Sequence, residues 1–308
     1  MNKRVVIALG HSALGKTFPE QKENAAFAAE VIADIIGAGY DAVITHSNSD
    51  QIGMIHSAMT EHAHLSPSNT VAPVSLCSAM SQGYIGFDLQ NEIRTALLNK
   101  GLFRTVSTII TQVRVDAFDP AFGNPTKMIG NEMDEQAAKA EEHKGNYVKE
   151  VAPGVYRRIV AAPKPLEIYE ADAIKALVNE GQVVIACGGG GIPVLQQGTR
   201  LKGASAVIEK DLAAEVLAEC IKADVLLFLT GVDKVCLNFG KEDQEELDKL
   251  SEADAERYIK EGQFTSGSML PKVRAALDFA SSGQGRKAVI TSLPNALKGL
   301  EGKTGTVF

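Results

Sequence analysis

Three lysines in this chain stand where a fixed positive charge can meet a bound anion. Lys210 and Asp211 open the stretch VIEKDLAAEVL at a predicted helix start, where free backbone N–H groups and the helix dipole favour negative charge. Lys272 follows Pro271 in GSMLPKVRAAL, again at a predicted helix start, with Gly267 and Ser268 just ahead of it. Lys127 lies behind a proline turn in NPTKMIG. The run CGGGGIP, residues 187–193, ends an apolar stretch in four glycines, which serve close backbone approach to a ligand or a tight reversal. Singly, each lysine reads as a solvated surface charge and the glycine run as a turn. As a set they match phosphoryl transfer, which needs positive charge spread over the equatorial oxygens and a carboxylate to orient the lysines.

A second phosphate signal has a different meaning. IALGHSALGKT, residues 7–17, satisfies the pattern G-x-x-x-x-G-K-[ST] from Gly10 to Thr17. A true phosphate loop needs a strand before it and a helix that starts at the Lys-Thr pair. RVVIAL supplies the strand, but Pro19 follows closely and the amphipathic pattern begins only near Glu20. The apolar strands end in Thr-His, Cys-Gly-Gly, Thr-Gly and Thr-Ser, not in the metal-holding Asp that such a site uses. A glycine turn after a first strand presents N–H groups to a phosphate without a Walker lysine. The Lys16-Thr17 match is read as accidental.

The elements that must position these groups alternate along the chain. RVVIAL (4–9), DAVIT (41–45), TVSTIITQVRV (105–115), QVVIAC (182–187), DVLLFLT (224–230) and KAVIT (287–291) read as strands. Residues 20–36 read as a helix with Phe27, Val31, Ile32, Ile35 and Ile36 on one face, and residues 81–99 as another. Ser49 or Asp50 is the expected cap of the helix after DAVIT. This rhythm predicts a mostly parallel sheet with helices on both faces and a ligand at the carboxyl ends of its strands. From Asp116 to about Pro165 the rhythm breaks, with Pro, Gly and charge, a short acidic helix and a hairpin turning at Pro153-Gly154. That segment reads as a small subdomain or lid.

With 308 residues, 45% apolar and 22% charged, the chain has the composition of a globular protein rather than a disordered one. A net charge of −7 argues against nucleic acid as partner. The four cysteines, Cys77, Cys187, Cys220 and Cys236, form no C-x-x-C pair and read as reduced thiols. With no signal peptide and no apolar run of membrane length, the expected location is cytoplasmic. His56, His62 and His64 lack zinc spacing and are expected on the surface, and no metal site is expected. His11 and His46 end strands that should be neighbours, which would let them approach each other.

The chain resembles the carbamate kinases of the amino-acid-kinase family from end to end. The resemblance rests on THSNSDQIG, SQGYIGFDLQNEI, TQVRVDAFDPAFGNPTKMIG, YRRIVAAPKP, CGGGGIPV, LKGASAVIEKDLAA, LTGVDKVCLNFG, GSMLPKVRAAL and GKTGTVF, in that order. It implies one domain over residues 1–308, a three-layer α/β/α sandwich, with residues 116–165 as a protruding subdomain. It also implies a homodimer, ATP or ADP with Mg2+, and reversible phosphoryl transfer between ATP and carbamate, used by degradative pathways to make ATP from carbamoyl phosphate. Carried over by position, Lys127, Lys210, Asp211 and Lys272 would be catalytic. Gly10, His11, Ser12, Ser47, Asn48, Ser49, Gly189 and Gly190 would bind substrate. Thr230, Val232, Asp233, Gly267, Ser268 and Met269 would flank the nucleotide. Ala8 stands where related kinases carry a first-strand lysine, a role the resemblance passes to Lys127.

The match fails in two loops. The family's Gly-Gly-Asn-Ala is Gly10-His11-Ser12-Ala13 here, and its His-Gly-Asn-Gly-Pro-Gln is His46-Ser47-Asn48-Ser49-Asp50-Gln51. Its Thr-Asp-Val-Asp is Thr230-Gly231-Val232-Asp233. If the lost glycines held positive φ, serine there would strain or reorient the loop, and Asp50 adds negative charge beside an anion site. Two other readings therefore stay open from sequence: a kinase for a different small acid, and a non-catalytic nucleotide or acyl-phosphate binder that partners a carbamoyltransferase system.

Overall fold

Alternation of buried side chains explains the central sheet. Along Lys3–Leu9, Val6 and Ala8 face one layer while Val5, Ile7 and Leu9 face the other, and all five are fully buried. Tyr40–His46, Val225–Thr230 and Lys287–Ser292 divide their residues the same way. Strands apolar on both faces need helices on both faces. In the computed structural model, which describes residues 2–15 and 17–308, they lie in a seven-stranded sheet. Its order is Thr306–Val307, Lys287–Ser292, Val225–Thr230, Lys3–Leu9, Tyr40–His46, Val183–Ile185, Val106–Thr108. All neighbours are parallel except Thr306–Val307, which runs antiparallel to Lys287–Ser292. Helices Phe18–Gly37, Val74–Asn99 and Ala296–Leu300 pack one face; Ala171–Asn179, Lys210–Cys220 and Met269–Ser281 pack the other. The architecture is a three-layer α/β/α sandwich. Among the described residues, no helix is long and apolar enough to cross a membrane.

Residues 127–160 build a sheet of their own. Lys127–Met133, Val155–Val160 and Tyr147–Ala152 pair antiparallel, and Asp134 caps the helix Glu135–His143 beside them. This outer sheet sits tightly on the helix Ser49–His64: a Cβ on Gly53 would lie 2.0 Å from the Gly130 Cα. Ile52, Ile129 and Val160 share a small core there.

Several local expectations are corrected. The first helix starts at Phe18, not near Glu20, because Thr17 and Glu20 form a reciprocal capping box and Pro19 sits in the first turn, where its missing N–H is not needed. Its buried stripe is Ala25, Ala28, Ala29, Ile32 and Ile35, while Phe27 is half exposed. Asn48, not Ser49 or Asp50, stands at the N-cap position of Ser49–His64. The helix expected from 81 begins at Val74. Residues 105–115 are two strands: Val106–Thr108 in the central sheet and Gln112–Arg114 in a separate four-stranded sheet. The break lets the Thr111 backbone N–H donate to Gln82 Oε1 at 2.8 Å. His56 is buried rather than exposed, because Arg158 Nη1 donates to its Nδ1 at 2.9 Å.

Candidate active site

The helix Lys210–Cys220 opens directly after extended Glu209, and the helix Met269–Ser281 presents Lys272 in its first turn. Asp211 joins them. Its Oδ1 accepts from Lys210 Nζ, and its Oδ2 accepts from Lys272 Nζ at 2.9 Å. Lys272 Nζ also donates to the Ser268 carbonyl at 3.2 Å. All three side chains are buried. Burial pulls the Lys210 ammonium below its ordinary pKa; Asp211 opposes that shift, while the charges of Lys272 and Lys127 add to it. Burial alone would raise the Asp211 carboxyl, but Lys210 and then Lys272 bring it below the usual carboxylate range. Asp211 is therefore ionised, and its two lysines share one countercharge. Lys127 is near enough for its charge to be felt at Lys210. Its Nζ donates to both carboxylate oxygens of Glu209, each at 2.8 Å.

The glycine run lies against the loop that follows Tyr40–His46. A Cβ on Gly188 would sit 2.4 Å from His46 Nε2, one on Gly189 1.9 Å from Asn48 Nδ2, and one on Gly190 2.6 Å from the Ile208 carbonyl oxygen. Gly189 also takes φ +65, and Cys187, ahead of the run, is forced to φ +52. Buried polar groups hold this shape. Thr45 Oγ1 donates to the Cys187 carbonyl at 2.8 Å, and Cys187 N–H donates to Thr111 Oγ1 at 3.0 Å. Gln82 Nε2 donates to the Gly188 carbonyl at 3.0 Å, and Asn48 Nδ2 donates to Ser81 Oγ at 2.8 Å. Burial pushes the His46 ring down to about 4, so it is neutral at physiological pH. Its Nδ1–H then donates to the Ser47 carbonyl at 2.9 Å, leaving Nε2 turned to Gly188.

The remaining predicted residues fall into groups. Gly10 N–H donates to the Leu229 carbonyl at 3.0 Å, and Ser47 N–H to the Leu9 carbonyl at 3.1 Å, which fixes both loops to the sheet's carboxyl edge. His11 is exposed in a short turn while His46 is buried, and the His46 ring faces Gly188 rather than His11. Lys16 and the side chain of Ser12 lie outside the described residues. Thr17 Oγ1 is used as a helix cap, accepting from Glu20 N–H. Thr230 and Asp233 line a cavity of about 380 Å3 with Ala13, Asn24 and Ser292, where Asp233 accepts from Asn295 Nδ2 at 2.9 Å. Val232 is half-buried between them. Gly267, Ser268 and Met269 do not line that cavity; they lie by Lys272, and a Cβ on Gly267 would be 3.8 Å from Met128 Cε of the outer sheet. A roomier cavity of about 610 Å3, between the helix Ser49–His64 and the outer sheet, touches none of the three lysines. Concentrated charge, not volume, marks the site. Sequence reasoning missed Thr45, Ser81, Gln82, Thr111 and Glu209. Only Glu209 carried a signal, as an acidic residue directly before Lys210.

The expected strain from lost glycines is absent. Among the described residues, the non-glycine positions with positive φ are Cys187, Lys222 and Asn238. His11, Ser47 and Ser49 keep backbone shapes that any L-residue adopts. The charge of Asp50 is met by Arg157 Nη2 of the outer sheet at 3.6 Å.

A family model described as the amino acid kinase family matches residues 3–292. The carbamate kinase-like protein YqeA of Escherichia coli is 52% identical over 308 residues, covering 100% of this chain and 99% of its own. The carbamate kinase of Clostridium perfringens is 47% identical over 309 residues, covering 98% of each. Among solved structures, carbamate kinase from Giardia lamblia bound to AMP-PNP superposes with a TM-score of 0.90 at 37% identity, covering 99% of this chain and 98% of that one.

The close approach of Gly189 to Asn48 has a measurable consequence. Gly189→Ala places a methyl group inside the Asn48 amide at a positive φ, a combination expected to cost roughly 1–3 kcal/mol. Thermal denaturation should show a clear loss of Tm; an unchanged Tm would contradict the packing described.

Proposed function

The chain belongs to the amino acid kinase family, and from that premise we propose that it is a carbamate kinase, moving a phosphoryl group reversibly between ATP and carbamate. The observation that carries this reading is the division of the Asp211 carboxylate between Lys210 and Lys272, with Lys127 facing them from the outer sheet. Asp211 aims both Lys210 and Lys272 and supports the Lys210 charge against burial, so the N–H donors they do not spend on it can serve the oxygens of a transferring phosphoryl. Such pre-set charge is what a loose, anionic transition state needs, since little covalent work falls to the protein. The N–H groups at the start of Lys210–Cys220 add to the same field. Gly10, His11, Ser12, Ser47, Asn48, Ser49, Gly189 and Gly190 would surround the carbamate side, and Thr230, Val232, Asp233, Gly267, Ser268 and Met269 the nucleotide side. Residues 116–165 would serve as the lid.

Among the described residues, no three His, Cys, Asp or Glu side chains group as a metal cage, and Asp211 is occupied by lysines. Mg2+ would enter this site with the phosphates of ADP or ATP and reduce their charge. Neither a different small acid as acceptor nor a non-catalytic role draws support from the full-length similarity to carbamate kinases, and the changed loops keep unstrained backbone with the Asp50 charge met by Arg157. Free cysteines and an ADP-consuming site support a cytoplasmic location. The ATP-forming direction places the enzyme after a reaction that releases carbamoyl phosphate, as in arginine breakdown.

The homodimer reading is supported by the helix Val74–Asn99. Leu76, Met80, Gly83 and Phe87 are exposed at spacings of i, i+4, i+7 and i+11, forming an apolar stripe with a gap for a partner's side chain. Analytical ultracentrifugation should find two chains per particle, reduced to one by Phe87→Glu; a monomeric wild type would contradict the stripe's role.

The activity test is direct. Protein mixed with ADP, Mg2+ and carbamoyl phosphate should yield ATP in a luciferase assay, and Lys272→Met should cut kcat roughly 10²–10³-fold. No ATP from the wild-type protein would overturn the assignment.

A further inference from the structure

We propose that Glu209 holds the place of the anion in the resting site, occupying Lys127 with its carboxylate until a phosphoryl group takes the lysine over. The inference rests on the reading of Lys127, Lys210 and Lys272 as the phosphoryl site and adds a residue to it. Glu209 occupies the N-cap position of Lys210–Cys220, yet its side chain makes no capping bond to its own helix. It reaches across to Lys127 instead, with both oxygens at 2.8 Å from one ammonium. An ammonium has three N–H donors, and the chelating carboxylate sits against one side of this one, as a counter-ion rather than an enclosing cage. The uncapped helix start and the ammonium are the two groups that an incoming phosphoryl would seek.

Charge counting agrees. The resting site holds three lysines against two carboxylates, Asp211 and Glu209, which leaves one uncompensated positive charge in a largely buried place. A phosphoryl dianion added beside an engaged Glu209 would face a carboxylate. It is accommodated when Lys127 turns from Glu209 to the new oxygens. Asp211 has no such freedom, since both of its oxygens lie buried between two lysines. The two acids therefore differ in kind: Asp211 is a permanent orienter, and Glu209 is an exchangeable counter-ion. Lys127 begins the outer-sheet strand Lys127–Met133, whereas Glu209 borders the core helix. The exchange thus also changes how the outer sheet is fastened to the core, so anion arrival and lid position become coupled.

The test uses inorganic phosphate as probe, followed by calorimetry, and needs no turnover. Glu209→Gln should tighten phosphate binding roughly three- to tenfold, the scale of one partly screened ion pair. The gain should vanish in a Lys127→Met background, because the competitor acts only through that lysine. Glu209→Ala, which also removes the carboxylate, should show the same gain and covers the case in which Glu209→Gln fails to fold, whereas Glu209→Asp, which keeps the charge, should stay within about twofold of wild type. In the ATP-forming assay, Glu209→Gln should lower KM for carbamoyl phosphate without raising kcat, a split that mere structural damage would not produce. Unchanged or weaker phosphate binding in Glu209→Gln, or the same gain without Lys127, would overturn the proposal. Coupling of Glu209 and Lys127 in phosphate binding by a protein that makes no ATP from carbamoyl phosphate would leave this inference standing and overturn the acceptor assignment instead.

Discussion

One carboxylate between two buried ammonium groups sets the terms for the rest of this molecule. Removing one partner from a buried ion pair costs about 3–5 kcal/mol, because the other charge is left without compensation. Asp211, Lys210 and Lys272 therefore have to arrive together. They come from two helices, Lys210–Cys220 and Met269–Ser281, that bury small residues in one core: Ala213, Ala214 and Ala218 on the first, Ala275 and Ala276 on the second. Small side chains let these helices lie close, and closeness is what allows one aspartate to reach both lysines. Phe228, beneath Lys210 Nζ at 5.9 Å to the ring centroid, adds a cation–π contact from the sheet.

The loop beside the lysines depends on a backbone without side chains. Gly188, Gly189 and Gly190 let it lie directly against His46, Asn48 and Ile208. The cost of that approach is spread over Cys187 in a left-handed conformation and over a buried set of Thr45, Gln82 and Thr111, each with its hydrogen-bonding group satisfied. A half-satisfied set of this kind would be worse than none. The helix Val74–Asn99 thus contributes on two sides: Ser81 and Gln82 face the glycine loop, while Leu76, Met80 and Phe87 face outward.

The lysines and the layer order were legible in the sequence for physical reasons. Three lysines beside Pro or Asp at element boundaries, together with a four-glycine run, formed a set that no one of them made alone, and apolar strands separated by amphipathic stretches have few ways to pack. Other features were hidden. Nothing local distinguishes Thr111 from any strand threonine; its task is defined by a glycine loop some seventy residues away. The strand 105–115 broke because its polar backbone there answers Gln82, a partner that periodicity does not reveal. Phe27 fitted an apolar stripe that alanines fill more closely. The lost glycines at 11, 47 and 49 suggested strain, but residue type does not report φ, and the backbone there proved ordinary. His56 looked like a surface histidine because Arg158, which covers it, lies on a strand of the outer sheet far along the chain.

The claim that Asp211 aims both lysines and supports the Lys210 charge is tested most directly by the pH profile of ATP formation in Asp211→Asn. Asp211 raises the Lys210 pKa against the burial that lowers it, so its loss should let Lys210 shed its proton at lower pH. The account predicts a large fall in kcat and an alkaline limb displaced toward neutral pH. A variant with wild-type kcat and an unmoved alkaline limb would contradict it.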